Sequence, residues 1–247
     1  MIYLILKDLQ TRVVQNHFAS PIYTLMQYEL SGARSLHIRA FAMVFIYIAL
    51  KFFGGSFGQM ALYPVTLLVT FLHEFGHALG AILTGGEVLE MRIAPDGSGH
   101  TLTRGGSPGF ILIGGYLGSA LLGNVLFYIG IRQRSWAQAS VMVLAVLMML
   151  AGIIWFESFT SSGLLFGFAF LLFFIARNTS WDQDVLMFLG IAVVLYILQD
   201  FNVGPRSDLA RYQEVVGLFP AQIWMYIWLG LALLLFYANL KEIFRWR

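Results

Sequence analysis

The sequence contains no cysteine and few charged residues. The absence of cysteine from all 247 residues excludes disulfide bonds, cysteine-ligated zinc and thiol catalysis. Charged side chains make up 11 % of the chain, against about 25 % in soluble domains. The net charge of +2 is too small for a phosphate-binding surface, so we expect no nucleic-acid partner.

Apolar residues fill most of the chain instead. They account for 59 % of the residues, and the mean hydropathy is +0.76. A soluble protein cannot hide that much apolar surface, because its exterior must be wetted. The composition therefore predicts an all-α polytopic, multi-pass membrane protein whose surrounding partner is the lipid bilayer.

Seven apolar stretches approach the ~20 residues that cross about 30 Å of hydrocarbon. They cover residues 40–54, 60–84, 109–131, 138–156, 159–176, 185–198 and 221–240. The first and the sixth are short. We therefore predict six or seven transmembrane helices.

The remaining segments suggest two parts and one insertion. Residues 1–39 place four basic side chains among apolar ones, which is typical of a segment lying at the membrane interface or of an ordered cytosolic cap. Residues 40–247 form the transmembrane domain. Within it, residues 86–104 read as two short strands around a Pro-Asp-Gly-Ser-Gly turn, which predicts a small β-hairpin at the membrane surface.

The second apolar stretch contains the motif His73-Glu74-Phe75-Gly76-His77. Residues four apart share one face of a helix, so both imidazoles can hold one metal ion beside a carboxylate suited to take a proton from water. With 5 His and 7 Glu in the chain, chance predicts about 0.003 such motifs.

The position of the motif also favours a metal site. His73 lies about 16–20 Å from either end of its span, at about 1.5 Å per residue. Ionisable side chains at that depth are costly and usually functional. The alternatives are a hydrogen-bonded polar cluster between helices and a transport site.

Catalytic zinc usually has three protein ligands, so one more is required. The loops 85–108 and 199–211 are four spans apart and therefore lie on one side of the membrane. Asp208 follows a stretch in which Gly204 and Pro205 break helical structure, and it is the predicted third ligand. Asp200 is the alternative third ligand. If Asp208 does not bind metal, its position is explained as an acid favoured at the start of a helix by the helix dipole.

These residues resemble the site-2 protease family of intramembrane zinc metallopeptidases. The similarity rests on His73-Glu-Phe-Gly-His-Ala-Leu79 inside a transmembrane helix and on the stretch Asn202–Asp208, which is similar to the family's Asn-Pro-rich segment ending in a ligand Asp. The segments 95–99 and 115–119 resemble those of its compact, mostly bacterial B-like branch. One departure is that Ser-Asp-Leu replaces the usual Leu-Asp-Gly around the distal ligand.

The resemblance implies hydrolysis of peptide bonds within or next to transmembrane segments of membrane-protein substrates, in a bacterial inner membrane. It implies one zinc ion per chain, held by His73, His77 and Asp208, with Glu74 as general base. Asn124 and Asn202 are the candidate substrate-binding residues. An edge strand of the hairpin would pair with extended substrate, unless the hairpin is an ordinary surface feature.

The competing prediction is a non-enzymatic membrane protein, either a metal transporter or an inactive protease-like protein that binds membrane clients. Glu74 argues against the inactive form, because a site kept only for binding needs no base. A transporter is expected to carry further intramembrane ionisable residues, and only Glu157 is a candidate.

Overall fold

The structure is a computed structural model that describes residues 38–132, 134–201, 203–205 and 207–244. The predicted interfacial segment therefore lies outside the described residues, apart from its last two positions. These two positions belong to a helix over residues 38–53, called α1 here.

The helices that follow α1 form most of the fold. They are α2 Gly55–Leu83, α3 Pro108–Ile113, α4 Ser119–Arg132, α5 Arg134–Ile154, α6 Phe159–Asn178, α7 Asp182–Asp200, α8 Asp208–Val216 and α9 Ala221–Phe244. A π-helical turn, Gly114–Gly118, joins α3 to α4, so that these three segments form one continuous span.

Six helices in the described part of the chain are long and apolar enough to cross a membrane. They correspond to six of the seven apolar stretches. The remaining stretch, residues 40–54, corresponds to α1, whose described part is shorter than the ~20 residues that a crossing needs. The prediction of an all-α multi-pass membrane protein with six or seven spans is confirmed.

Helix α2 is the centre of the bundle. In an 18-residue apolar stretch of α2, 72 % is buried inside the protein, against 11 % in the corresponding stretch of α9. Apolar side chains on the outer helices point outward, as Phe159 (90 % exposed) and Phe170 (69 %) do on α6. Exposed apolar side chains on several outer helices are typical of a surface that contacts lipid, which agrees with a membrane-spanning bundle.

Glycines allow α4 and α7 to pack closely. A Cβ atom on Gly190 would lie 2.5 Å from the backbone nitrogen of Phe127 and 2.7 Å from the carbonyl oxygen of Gly123. Only glycine permits this approach of two backbones, and small residues are the usual contact between helices in a membrane.

The predicted hairpin is present as β1 Glu87–Ile93 and β2 Gly99–Arg104, an antiparallel pair with a bulge between Val88 and Glu90. Its turn lies beside the middle of α2, where Thr70 donates a hydrogen bond to the carbonyl oxygen of Gly97 (2.6 Å) and Tyr63 donates one to Pro95 (2.8 Å). These hydroxyl groups satisfy two backbone carbonyls of the turn. They fasten the hairpin along the side of α2.

Candidate metal centre

The two histidines of the motif lie on one face of α2, one helical turn apart. Their Nε2 atoms are 3.1 Å from each other. Both side chains are largely buried, with 20 % of His73 and 9 % of His77 exposed. The helix therefore presents two nitrogen ligands to one point, as the spacing predicts.

Asp208 reaches the same point from another part of the fold. Its Oδ2 atom is 3.0 Å from Nε2 of His73 and 3.2 Å from Nε2 of His77. Asp208 is the first residue of α8, whose N-cap Ser207 accepts a hydrogen bond from the backbone of Ala210. Asp208 is therefore an acid at the start of a helix and also lies where a metal ligand is needed.

The spacing of these three atoms fits a metal ion. In a tetrahedral site with ligand bonds of about 2.0–2.1 Å, neighbouring ligand atoms are separated by about 3.3 Å. The pairwise distances here are 3.0–3.2 Å. Two imidazoles and one carboxylate form a ligand set that suits a catalytic zinc ion. The three residues therefore fit zinc in both chemistry and spacing.

The electrostatics of Asp208 agree with this role. Burial alone would raise the pKa of its carboxyl group, but hydrogen bonds with His73 and His77 hold that pKa below its ordinary range. Asp208 is thus kept as a carboxylate. The anion is the form in which an aspartate binds a divalent cation.

A backbone group fixes the orientation of His77. Its Nδ1 atom lies 2.7 Å from the carbonyl oxygen of Ile111 in α3. A carbonyl oxygen only accepts, so Nδ1 carries a proton, and Nε2 is the nitrogen whose lone pair would bind a metal. This arrangement, in which the second ring nitrogen donates to a fixed acceptor, is common behind metal-binding histidines.

The π-helical turn packs directly against the histidines. A Cβ atom on Gly115 would lie 2.7 Å from Nε2 of His77 and 2.8 Å from Cε1 of His73. A Cβ atom on Gly76 would lie 2.7 Å from the carbonyl carbon of Gly114. The imidazoles therefore have room only because both backbones carry glycine here.

Glu74 is buried beside the histidines and lines the same cleft, with 5 % of the residue exposed. The hydroxyl group of Thr101, on β2, is 2.8 Å from Oε2 of Glu74 and 3.0 Å from the carbonyl oxygen of the same residue. The carboxylate thus stands next to the ligand cluster and is tied to the hairpin.

A cleft of about 1160 Å³ opens onto this cluster. One wall is β2 with the following Gly105-Gly106, and the other is the start of α8 with the segment before it. The floor holds His73, Glu74, His77 and Asp208 together with Tyr116 of the π-helical turn. Polar side chains that meet in a deep cleft are the usual composition of a binding or catalytic site.

Of the other predicted site residues, the structure describes the side chain of Asn124 alone. Asn202 and the side chain of the alternative ligand Asp200 lie outside the described part of the chain. Asn124 does not line the cleft. Its side chain is buried, donates to the carbonyl oxygen of Ala120 (2.8 Å) and accepts a hydrogen bond from Asn239 of α9 (2.8 Å).

Several contacts of the centre could not be found from the sequence. The carbonyl of Ile111 has no residue-type signal at all, and Thr101 is an ordinary threonine in a predicted strand. The close approach of Gly115 has only a weak signal, because glycines are common wherever helices pack closely in a membrane.

The fold and the ligand cluster together define a membrane-spanning protein with a candidate metal centre. A family model described as Peptidase M50B-like matches residues 33–239, and the chain belongs to that family. This confirms the resemblance to the site-2 proteases. No curated protein and no solved structure matches the chain.

Proposed function

We propose that this protein is an intramembrane zinc metalloprotease that hydrolyses peptide bonds within or next to transmembrane segments of other membrane proteins. The observation that carries the proposal is the convergence of His73, His77 and Asp208 within 3.0–3.2 Å, beside the buried carboxylate of Glu74. The membership of the chain in a peptidase family supports it.

Each residue would have a defined role in the reaction. His73, His77 and Asp208 would hold the ion. Zinc, when bound, polarises the scissile carbonyl and makes water a nucleophile near neutral pH. Glu74 would take the proton from the attacking water at its carboxylate and then deliver it to the leaving amine.

The hairpin offers a binding surface for the substrate. The backbone N–H of Met91 donates to the carbonyl oxygen of Trp155 (3.2 Å), and that of Ile93 donates to Oγ of Ser161 (2.8 Å), so the outer edge of β1 is occupied. No hydrogen bond from outside the hairpin reaches the outer edge of β2 within the described ranges. An unwound substrate would add to β2 as a third strand, alongside the cleft.

The alternative is a non-enzymatic membrane protein that transports metal or binds clients. A transport path is expected to contain further ligand groups along the membrane. His73, His77 and Asp208 are the one group of three or more ligand-type side chains found in the part of the chain that the structure describes. Glu157 stands apart from it, 4.0 Å from Arg92 of the hairpin.

Metal content and cleavage measured on the same samples test the proposal. Wild type, His77→Ala, Asp208→Ala and Glu74→Gln would be purified in detergent, analysed by elemental mass spectrometry, and incubated with transmembrane reporter substrates. We expect about one zinc per chain in wild type and in Glu74→Gln, loss of zinc in the other two variants, and cleavage by wild type alone. Zinc bound without cleavage of any reporter would favour the non-enzymatic alternative.

We further propose the inner membrane of a bacterium as the location, because the branch that the chain resembles is mostly bacterial. The partner would be a transmembrane protein substrate. Fractionation of bacterial cells that express the tagged chain tests the location, and recovery in the outer membrane would contradict it.

A further inference from the structure

The contact between Thr101 and Glu74 links the proposed base to the hairpin. Glu74 accepts a hydrogen bond from the Thr101 hydroxyl at 2.8 Å. Thr101 is the one side-chain donor to this carboxylate among the described residues. A carboxylate that is buried and has one donor takes its orientation from that donor.

A second residue of β2 confines the same carboxylate. A Cβ atom on Gly99 would lie 2.9 Å from Oε1 and 2.8 Å from Cγ of Glu74. Gly99 and Thr101 are two positions apart, so both face α2. The side chain of Glu74 is therefore held between the backbone of one strand residue and the hydroxyl group of another.

The backbone of Thr101 faces the other way, toward the cleft. Met91 pairs with Thr101 across the hairpin, and its N–H points away from β2 to Trp155. In an antiparallel ladder, two residues that face each other direct their backbone N–H and C=O groups either both toward the partner strand or both away from it. The N–H and C=O groups of Thr101 thus lie on the edge of β2 that borders the cleft.

We propose that Thr101 is a positioning residue that couples binding of an extended peptide on β2 to the orientation of Glu74. This inference rests on the proposed protease function. A peptide strand paired with the backbone of Thr101 would hold that residue in place, and its hydroxyl group would then fix the carboxylate for proton transfer. The Thr101 hydroxyl group acts through Glu74 and makes no hydrogen bond to the ligand cluster.

A purely structural role makes a different prediction. The hydroxyl groups of Tyr63 and Thr70 also fasten the hairpin to α2, and they do so through turn carbonyls and not through Glu74. Thr70→Val removes one such fastening and is therefore the matched control for Thr101→Val. Both changes replace a hydroxyl group with a methyl group of similar size.

The kinetic test compares wild type, Thr101→Val, Thr101→Ser and Thr70→Val on a transmembrane peptide substrate. We expect Thr101→Val to lower kcat by about 10–100-fold, because a small misplacement of the base costs up to about 100-fold, with zinc content and KM little changed. Thr101→Ser should restore most of kcat, because it restores the donor. Thr70→Val should leave kcat near that of wild type.

Equal losses in Thr101→Val and Thr70→Val would overturn the proposal, since both would then act by loosening the hairpin. Failure of Thr101→Ser to restore kcat would also overturn it. These results are distinct from failure of the proposed function, which would appear as an inactive wild type.

A measurement that needs no activity keeps the inference testable in that case. A double-mutant cycle on thermal unfolding would combine Thr101→Val with Glu74→Ala, and Tyr63→Phe with Glu74→Ala. We expect the first pair to be non-additive and the second to be additive, because the Thr101 hydroxyl group bonds to Glu74 and the Tyr63 hydroxyl group bonds to Pro95. Additive effects in the first pair would show that the hydroxyl group bonds only the backbone of Glu74, and would refute the positioning role.

Discussion

Two segments flank the ligand cluster on α2, and they hold that helix in different ways. The π-helical turn Gly114–Gly118 meets α2 backbone to backbone, and Gly76 and Gly115 leave no space for a side chain. The hairpin meets α2 through hydrogen bonds from Tyr63, Thr70 and Thr101. The first contact depends on steric fit, and the second depends on polar groups with defined partners.

The difference matches what each side must position. The histidines next to the π-helical turn must stay within about 0.5 Å of a metal geometry, which rigid close packing provides. Glu74 next to the hairpin must exchange a proton during a reaction, and a hydrogen-bonded carboxylate can do so without moving a helix. The predictions below test this contrast, from the largest expected effect to the smallest.

Glu74→Gln should separate the two sides most strongly. The amide keeps the shape of the side chain but cannot accept a proton from water, so we expect cleavage to fall by about 10²–10⁴-fold. Zinc content should stay at the wild-type value, since the change does not affect the ligands or the contact of α2 with the π-helical turn. Parallel elemental analysis and cleavage assays check this, and zinc loss in Glu74→Gln would contradict the separation.

Gly76→Ala tests the steric contact. Its Cβ atom would lie 2.7 Å from the carbonyl carbon of Gly114, where two backbones must move apart. We expect a destabilisation of about 3 kcal/mol, measured by thermal unfolding in detergent. Gly167→Ala is the matched control, because no atom lies within 4 Å of a Cβ there and alanine favours a helix. Similar unfolding temperatures for the two variants would be inconsistent with close packing at Gly76.

Gly115→Ala should act on the metal more than on the fold. Its Cβ atom would lie 2.7 Å from Nε2 of His77, so the imidazole must turn away from the cluster. Zinc affinity should fall by about 10–100-fold in a competition titration with a chelator. Gly118→Ala is the control, because its Cβ atom meets α2 only at 3.5 Å from Cα of Gly76. An unchanged affinity in Gly115→Ala would mean that the ligands are not fixed by this turn.

Thr70→Val should have the smallest effect. It removes the hydrogen bond to the carbonyl oxygen of Gly97 (2.6 Å), which is worth about 1 kcal/mol of stability. Thr66→Val on the same helix removes only a bond to its own helix, from Thr66 to Leu62 at 3.3 Å, and should cost less. Chemical or thermal unfolding of both variants checks the order, and the reverse order would argue against hydroxyl fastening of the hairpin.

Much of the architecture was predictable because its signals are local. Apolar stretches of sufficient length identify membrane spans one at a time, and turn residues between short strands identify a hairpin. The motif His73-Glu-x-x-His77 is equally local, since one helical turn brings its histidines together. The hydrogen bonds that hold the hairpin turn beside α2 were not predictable, because their donors Tyr63 and Thr70 are distant from the turn in sequence.

The position of Asp208 was only partly predictable from the sequence. The number of intervening spans put its loop on the same side as the end of α2, but that argument applied equally to Asp200. The 3.0–3.2 Å distances from Asp208 to the histidines come from the way in which α8 packs against α3. Asn124 illustrates the same limit, since its partner Asn239 lies 115 residues away.

The sequence by itself determined the membrane-spanning class, the helical framework, the hairpin and the pair of histidines, because each depends on residues that are near one another along the chain. Only the tertiary structure decided which carbonyl orients His77, which hydroxyl group holds Glu74 and which edge of the hairpin stays open. Those contacts join residues 27–34 positions apart or involve packing between elements, and no local pattern records them.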